Sequence, residues 1–219
     1  MYMKKRRQIS VGKIALYKVT NRFNKILQNI FEKINPTQKE IWELQYLKGD
    51  WDFLKNIEQL GLYSIIVGYV NELKKDGTIL DVGCGEGVLQ EKIGENNYSK
   101  YIGIDISANA INKALKKSSD KTQFLVADAL NYEPNQKFGV IIFNEILYYF
   151  SEKQIIDILK KYENYLEKDG IIIVSMYQNE ANETIWNLLQ SFFILMDETK
   201  IINKNGTAWK CKVFKSSKK

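Results

Sequence analysis

A chain of 219 residues, 45% of them hydrophobic, is long enough to bury one substantial core. It contains no histidine and only two cysteines, Cys84 and Cys211. That excludes His-dependent triads, histidine metal clusters and a disulfide scaffold, and leaves proton transfer to Asp, Glu, Tyr, Lys, Cys or water. The net charge is +6, from 32 Lys and Arg against 26 Asp and Glu. It reads first as a lysine-rich solvated surface with basic ends at residues 4–7 and 215–219, and second as an attraction to phosphate-bearing partners.

Residues 1–75 read as helical. Residues 13–33 place Ile14, Leu16, Val19, Phe23, Ile26, Leu27, Ile30 and Phe31 at helical spacing, and Asn35, Pro36 and Thr37 break the pattern. A second helix is expected over residues 37–47, a turn at Gly49, Asp50 and Trp51, and a third helix over residues 54–75. From residue 76 the pattern changes to short apolar strands alternating with helices. Strands are expected at 78–82, 101–104, 124–126, 138–143 and 171–176. Helices are expected from 88, at 108–117, at 153–166 and at 183–193. The tail, residues 195–203 and 207–215, reads as two strands around an Asn205-Gly206 hairpin turn. This alternation predicts an α/β, Rossmann-like sheet of seven strands, mostly parallel, with helices on both faces, an antiparallel C-terminal hairpin and extra N-terminal helices. The domain reading is a helical cap or lid over residues 1–75 and a core over residues 76–219. No apolar run reaches bilayer length and no h-region follows the basic N-terminus, so a cytoplasmic protein without a membrane span is expected.

The chemistry concentrates in residues 79–87, Ile-Leu-Asp-Val-Gly-Cys-Gly-Glu-Gly. Glycines after a first strand let the backbone approach a ligand and turn into a helix, whose N-terminus offers free N–H groups. The spacing is G-x-G-x-G, with Val88 where a dinucleotide fingerprint wants its third glycine, which argues against a dehydrogenase. Asp81 precedes the glycines, where its carboxylate can face a ligand ammonium. Asp105 closes the next strand, suited to a ribose diol, and Asp128 follows the third, placed to accept from an exocyclic amine. Each acid alone is also compatible with a helix cap or turn. Three in register at the carboxyl ends of successive parallel strands line one crevice.

On these residues the chain resembles the class I S-adenosylmethionine-dependent methyltransferases. LDVGCGEG is similar to their first motif, GIDIS at 103–107 to the ribose-binding second strand, and FLVADAL at 124–130 to the adenine-binding third. FGVIIFNEILYYF at 138–150 and LEKDGIIIVSM at 166–176 are similar to the fourth and fifth strands. The resemblance implies S-adenosylmethionine as cofactor and S-adenosylhomocysteine as product. It implies that Asp81 with the backbone of Gly83, Cys84 and Gly85 holds the methionine part and that Asp105 binds the ribose hydroxyls. Ile106 would pack on the adenine, Asp128 and the Ala129 backbone would read its edge, and Asn144 would border the methionine. Gly139 departs from the pattern, where many relatives carry Asp.

With no histidine, the candidate base is Glu145, directly after the fourth strand, with Tyr148 and Tyr149 to orient the acceptor; a helix-cap or ion-pair role for Glu145 is the alternative. Trp51, Tyr63 and Tyr177 are candidate acceptor contacts, with ordinary core packing as the alternative. The FNEILYY and WDFL stretches resemble small enzymes that modify sugars and capsule precursors. The expectation is therefore methylation of an O or N atom of a small polar acceptor, phosphorylated or sugar-linked, without a metal. An RNA acceptor is the runner-up, against which stands the lack of an Asn-Pro-Pro-Tyr base-flipping motif, and a non-catalytic cofactor-binding module is third. A monomer and a homodimer are both compatible with the sequence.

Overall fold

Seven strands form one sheet, in the order β3-β2-β1-β4-β5-β7-β6. The structure, a computed structural model, describes residues 36–217; the helix expected over residues 13–33 and the basic stretch at 4–7 lie outside the described residues. The chain divides into two units, Met1–Trp42 and Glu43–Lys219.

The described part of the first unit is the opening of helix α1 (Gln38–Lys48). Thr37 and Glu40 cap it reciprocally: Thr37 N donates to Glu40 Oε2 at 2.7 Å and Glu40 N to Thr37 Oγ1 at 3.3 Å. This is the threonine form of a capping box.

In the second unit, helix α2 (Leu60–Lys74) follows two single 3-10 turns, Asp52–Lys55 and Ile57–Gln59. The sequence predicts one helix from residue 54; the structure interrupts it because Asn56 adopts extended backbone, φ −75 and ψ 159. Then come β1 (Thr78–Val82), α3 (Val88–Ile93), β2 (Lys100–Asp105), α4 (Ala108–Ala114), β3 (Thr122–Val126), β4 (Phe138–Asn144), α5 (Glu152–Glu163), β5 (Leu166–Tyr177), α6 (Glu183–Phe192), β6 (Phe193–Ile202) and β7 (Ala208–Ser216). The first five strands pair in parallel, and β7 inserts antiparallel between β5 and β6.

Helix α5 illustrates why these residues take these forms. Ser151 and Gln154 make a capping box at its start. Ile155, Ile158, Leu159 and Tyr162 then fall on one face and are buried, each contributing about 1.5–3 kcal/mol of apolar burial. The helix stops at Glu163, earlier than residue 166 as expected, because Leu166 already pairs with Phe138 of β4. The hairpin turn also differs in detail. A two-residue Asn-Gly turn needs positive φ at both residues, but only Gly206 has it, at φ 76. Gly206 N instead closes on Asn203 O and Asn203 N on Thr207 O, so the turn spans residues 203–206.

One face of the sheet packs Ile141, Phe143, Ile172 and Val174 against α5 and α6. The other packs Ile79, Val140, Ile142 and Ile173 against α2, α3 and α4. Strands buried on both faces explain the apolar runs at 140–143 of β4 and 171–174 of β5, which begins at Leu166, earlier than the expected residue 171. The strand order reverses between β2-β1 and β4-β5, and the crevice at the carboxyl ends of β1 and β4 is the topological switch point, where ligands bind in open α/β sheets.

Candidate active site

Three elements meet at that switch point. Strand β1 delivers Asp81 and then bends through Gly83 and Gly85, β2 delivers Asp105, and β4 delivers Asn144 and Glu145. Gly83 and Gly85 have φ 78 and 56, a left-handed backbone that favours glycine. Space demands glycine as well. A Cβ on Gly83 would stand 2.5 Å from Ile146 Cδ1, and one on Gly85 2.7 Å from the Tyr46 hydroxyl.

Asp81 is buried, 1% exposed. Its Oδ2 accepts from the Tyr101 hydroxyl at 2.5 Å, and its Oδ1 has no hydrogen-bond partner among the described residues. A buried carboxylate oxygen with nothing to accept is costly, and a cationic ligand group removes the cost. Burial pushes the Asp81 carboxyl up to about 7, against the Tyr101 hydrogen bond and with help from Asp105. Asp105 Oδ2 accepts from Gly85 N at 3.0 Å and Oδ1 from Ser107 N at 2.8 Å. Each oxygen keeps a lone pair, so the carboxylate can still accept from a diol. Burial pushes Asp105 up to about 6, against those two backbone donors. Ile106, half-buried beside it, offers an apolar face. An acceptor for an ammonium, one for a diol, an apolar face and a side-chain-free bend together fit S-adenosylmethionine.

The amides of the bend itself are used locally. Gly83 N and Cys84 N both donate to Ile104 O, at 2.8 and 2.9 Å, Gly85 N goes to Asp105, and Gly87 N to Cys84 O. These amides stiffen the bend and are not open donors. The Cys84 thiol turns into the core, where burial pushes it far above its usual range, so Cys84 offers backbone only.

At the end of β4, Ser175 Oγ donates to Asn144 Oδ1 at 2.6 Å. Glu145 has φ 61, a strained left-handed conformation for a residue with a side chain, and its N–H is held by Ser175 O at 3.0 Å. The Tyr148 hydroxyl donates to Glu145 Oε2 at 2.9 Å, and the Tyr148 and Tyr149 ring centroids lie 4.8 Å apart. Tyr63, buried on α2, feels both Asp81 and Glu145; burial, then those two charges, raises its phenol well above the usual range. The structure thus brings Asp81, Gly83, Gly85, Asp105, Tyr63, Glu145, Tyr148 and Tyr149 around one crevice. Tyr177 ends β5 opposite Trp209, two residues past Ser175, with its carbonyl accepting from Asn182 Nδ2 at 2.7 Å, and it packs on the same apolar cluster as Tyr63. Asp128 turns its own loop, accepting from Leu130 N and Asn131 Nδ2, both at 2.9 Å, and the Ala129 carbonyl is held by Lys161 Nζ at 2.7 Å and the Tyr162 hydroxyl at 2.9 Å.

Several residues here escaped the sequence reading. Glu43 spans the start of α4, taking Ser107 Oγ at 2.8 Å, Ala108 N at 2.7 Å and Asn109 N at 2.9 Å. Glu86, inside the glycine motif, is 4% exposed and grips Lys113 at 2.5 Å and Lys55 at 2.6 Å. Burial pushes its carboxyl up, but the two ammonium groups outweigh that and hold it below the usual range. Residues 43–55 are therefore tied to the glycine bend and to α4. Within them Trp51 stacks on Tyr46 at 5.5 Å and on Phe53 at 6.1 Å, and Tyr46 reaches Gly85. Glu86 alone carried a sequence signal, an acid locked between two glycines; the others depend on contacts between distant segments.

Among the described residues no group of three or more His, Cys, Asp or Glu could hold a metal ion, and no helix is long and apolar enough to cross a membrane. The methyltransferase domain family matches residues 73–215. Malonyl-[acyl-carrier protein] O-methyltransferase 1 of Ilyobacter polytropus is 29% identical over 63% of this chain and 55% of its own length. The tRNA U34 carboxymethyltransferase of Campylobacter lari is 29% identical over 72% of this chain and 53% of its own. The chain spans about half the length of the curated relatives it matches. The N-methyltransferase NodS of Bradyrhizobium japonicum WM9, in complex with S-adenosyl-L-homocysteine, shares the fold at TM-score 0.68 and 15% identity, over 87% of this chain and 98% of that one. The chain belongs to the methyltransferase domain family, and its fold is that of the class I S-adenosylmethionine-dependent enzymes.

Proposed function

We propose that the protein transfers the methyl group of S-adenosylmethionine to an oxygen or nitrogen of a small polar acceptor, a carbohydrate, nucleotide-activated or surface-polysaccharide precursor. The observation that carries the cofactor half is the buried Asp81 oxygen without a partner among the described residues, beside a glycine bend and a second carboxylate at the switch point. Asp81 holds the ammonium, Asp105 the ribose hydroxyls and Ile106 the base, with Asp128 and Ala129 at its edge and Asn144 beside the methionine chain. When bound, the cofactor supplies a methyl group already activated by its sulfonium. Residues 43–55 act as a cap that keeps water from the crevice, while α2, also within the helical segment expected to residue 75, packs on the sheet face.

Glu145 takes the acceptor's proton. Its strained backbone, braced by Ser175, holds it at the rim of β4, and the Tyr148 hydroxyl donates to one of its carboxylate oxygens and fixes its orientation. Tyr148 and Tyr149, with Trp51 and Tyr63, supply flat apolar faces beside that acid, a combination suited to a polyhydroxylated ring. The surplus of six positive charges suits a phosphorylated acceptor. The deciding experiment incubates the protein with methyl-labelled cofactor and separated pools of nucleotide-sugars, capsule material and RNA. Label in the nucleotide-sugar or capsule pool supports the proposal. Label only in RNA, with binding that weakens steeply with salt, selects the second reading, which the likeness to a tRNA-modifying enzyme favours.

A further inference from the structure

Tyr101 lies on β2, directly opposite Ile79 of β1, and on the same face of the sheet as Asp81 two residues further on. Its ring is fully buried between Tyr98 and Phe124, at centroid distances of 5.4 and 5.9 Å. Its hydroxyl crosses diagonally to Asp81 Oδ2. The residue directly opposite Asp81 is Gly103, which puts no side chain in the way. A carboxylate can exchange its two oxygens by rotation; a buried donor that claims one of them decides which is presented to a ligand. Here the claimed oxygen is Oδ2, and Oδ1 is the one without a partner among the described residues.

We infer that Tyr101 is a positioning residue for cofactor binding: its phenol claims Oδ2 of the buried Asp81 carboxyl and so fixes Oδ1 as the oxygen offered to the ligand's ammonium. The inference rests on the reading of Asp81 as the ammonium partner. The titratable groups that face Asp81 are Tyr101 and Asp105 on β2, Cys84 in the bend and Tyr63 on α2; none brings a positive charge. Burial drives Asp81 towards its neutral form, Asp105 adds to that, and the Tyr101 hydrogen bond is the opposing influence. The phenol itself is pushed far above its usual range by burial and then by the charge of Asp81, so it remains a donor at any physiological pH.

The test is calorimetric titration of S-adenosylhomocysteine into wild type, Tyr101→Phe, Tyr98→Phe and Asp81→Asn between about pH 6 and 9. A hydrogen bond to a charged group is worth roughly one pH unit, so Tyr101→Phe should bind about fivefold more weakly than wild type at pH 7. The difference should shrink at about pH 9, where Asp81 is ionised in both proteins and only the loss of positioning remains. Titration of the ligand's own amine affects both proteins alike and leaves the ratio unchanged. Tyr98→Phe removes a neighbouring buried phenol that bonds Gln90 and Thr122 and not Asp81, and should follow the wild-type profile. A ratio of one at every pH, or a loss that is the same at every pH, overturns the inference. Asp81→Asn separates the two claims: if it binds as wild type does, the ammonium reading falls; if it binds weakly while Tyr101→Phe shows no pH-dependent loss, only the role of Tyr101 falls. Should Tyr101→Phe not fold, proton NMR of the wild type decides. The buried Tyr101 hydroxyl should give a slowly exchanging downfield signal that moves when S-adenosylhomocysteine binds, and a signal that stays in place overturns the inference.

Discussion

Replacing Asp81 by asparagine should stabilise the ligand-free protein while abolishing its response to the cofactor. The buried carboxyl is pushed from an ordinary 3.8 up to about 7. Below about pH 4 the group is neutral in the folded and unfolded chains and costs nothing. As pH rises the unfolded chain ionises first, so the ligand-free protein loses stability until about pH 7, above which the loss is complete. Three pH units correspond to roughly 4 kcal/mol. Asparagine avoids that cost and can still accept the Tyr101 hydroxyl, but its amide N–H group then faces the place where Oδ1 has no partner, an offset of about 1–3 kcal/mol. The net gain at pH 8 is about 2 kcal/mol, a rise in melting temperature of about 4–8 °C for a chain of this size. Thermal unfolding at pH 5 and pH 8, with and without S-adenosylhomocysteine, checks this. Wild type should show a larger ligand-induced shift at pH 8 than at pH 5; the variant should melt higher than wild type without ligand at pH 8 and show almost no shift with it. A variant that is less stable at pH 8, or that keeps the ligand shift, would refute the assignment of Asp81 as a charge held in reserve for a cation.

Glu145→Gln should lower kcat by about 100–1000-fold for a hydroxyl acceptor while S-adenosylhomocysteine affinity holds, because a positioned base is lost and the cofactor residues are not; unchanged turnover with intact binding ends the base assignment. Gly85→Ala places a Cβ 2.7 Å from the Tyr46 hydroxyl at φ 56, which should cost about 1–2 kcal/mol in backbone strain alone and weaken cofactor binding in calorimetry more than it lowers stability. Lys161 Nζ holds the carbonyls of Ala129, Leu130 and Tyr132 at 2.7, 2.9 and 3.0 Å. Lys161→Met should speed amide hydrogen exchange in residues 128–132 and weaken binding of S-adenosylhomocysteine more than of a fragment lacking the adenine; equal losses for both ligands would separate Lys161 from base recognition.

Much of this molecule was written in local pattern. The strands 78–82, 138–144 and 171–176 are apolar runs bounded by charge and glycine, and central parallel strands must be apolar on both faces, so the sheet and its order of elements follow from sequence. The glycine bend and Asp81, Asp105 and Asp128 were legible for the same reason, since each sits at a fixed offset from a strand end. Helix boundaries were less so. The break at Asn56 and the early stop at Glu163 are set by what the next segment packs against, which no local window contains. The hairpin was correctly placed, but its turn type depended on the backbone of Asn205, which the Asn-Gly pair alone does not dictate.

What the chain determines by itself is the alternation of elements and the placing of acids at strand ends, because both depend on neighbours a few residues away. Only the tertiary structure decided that Asp81 keeps one oxygen without a partner among the described residues, that Tyr101 claims the other, and that Glu43, Tyr46, Lys55 and Glu86 tie a strap across the bend. Those relations join residues from different elements, and desolvation, which gives a carboxylate its appetite for a cation, exists only once the surrounding segments have closed over it.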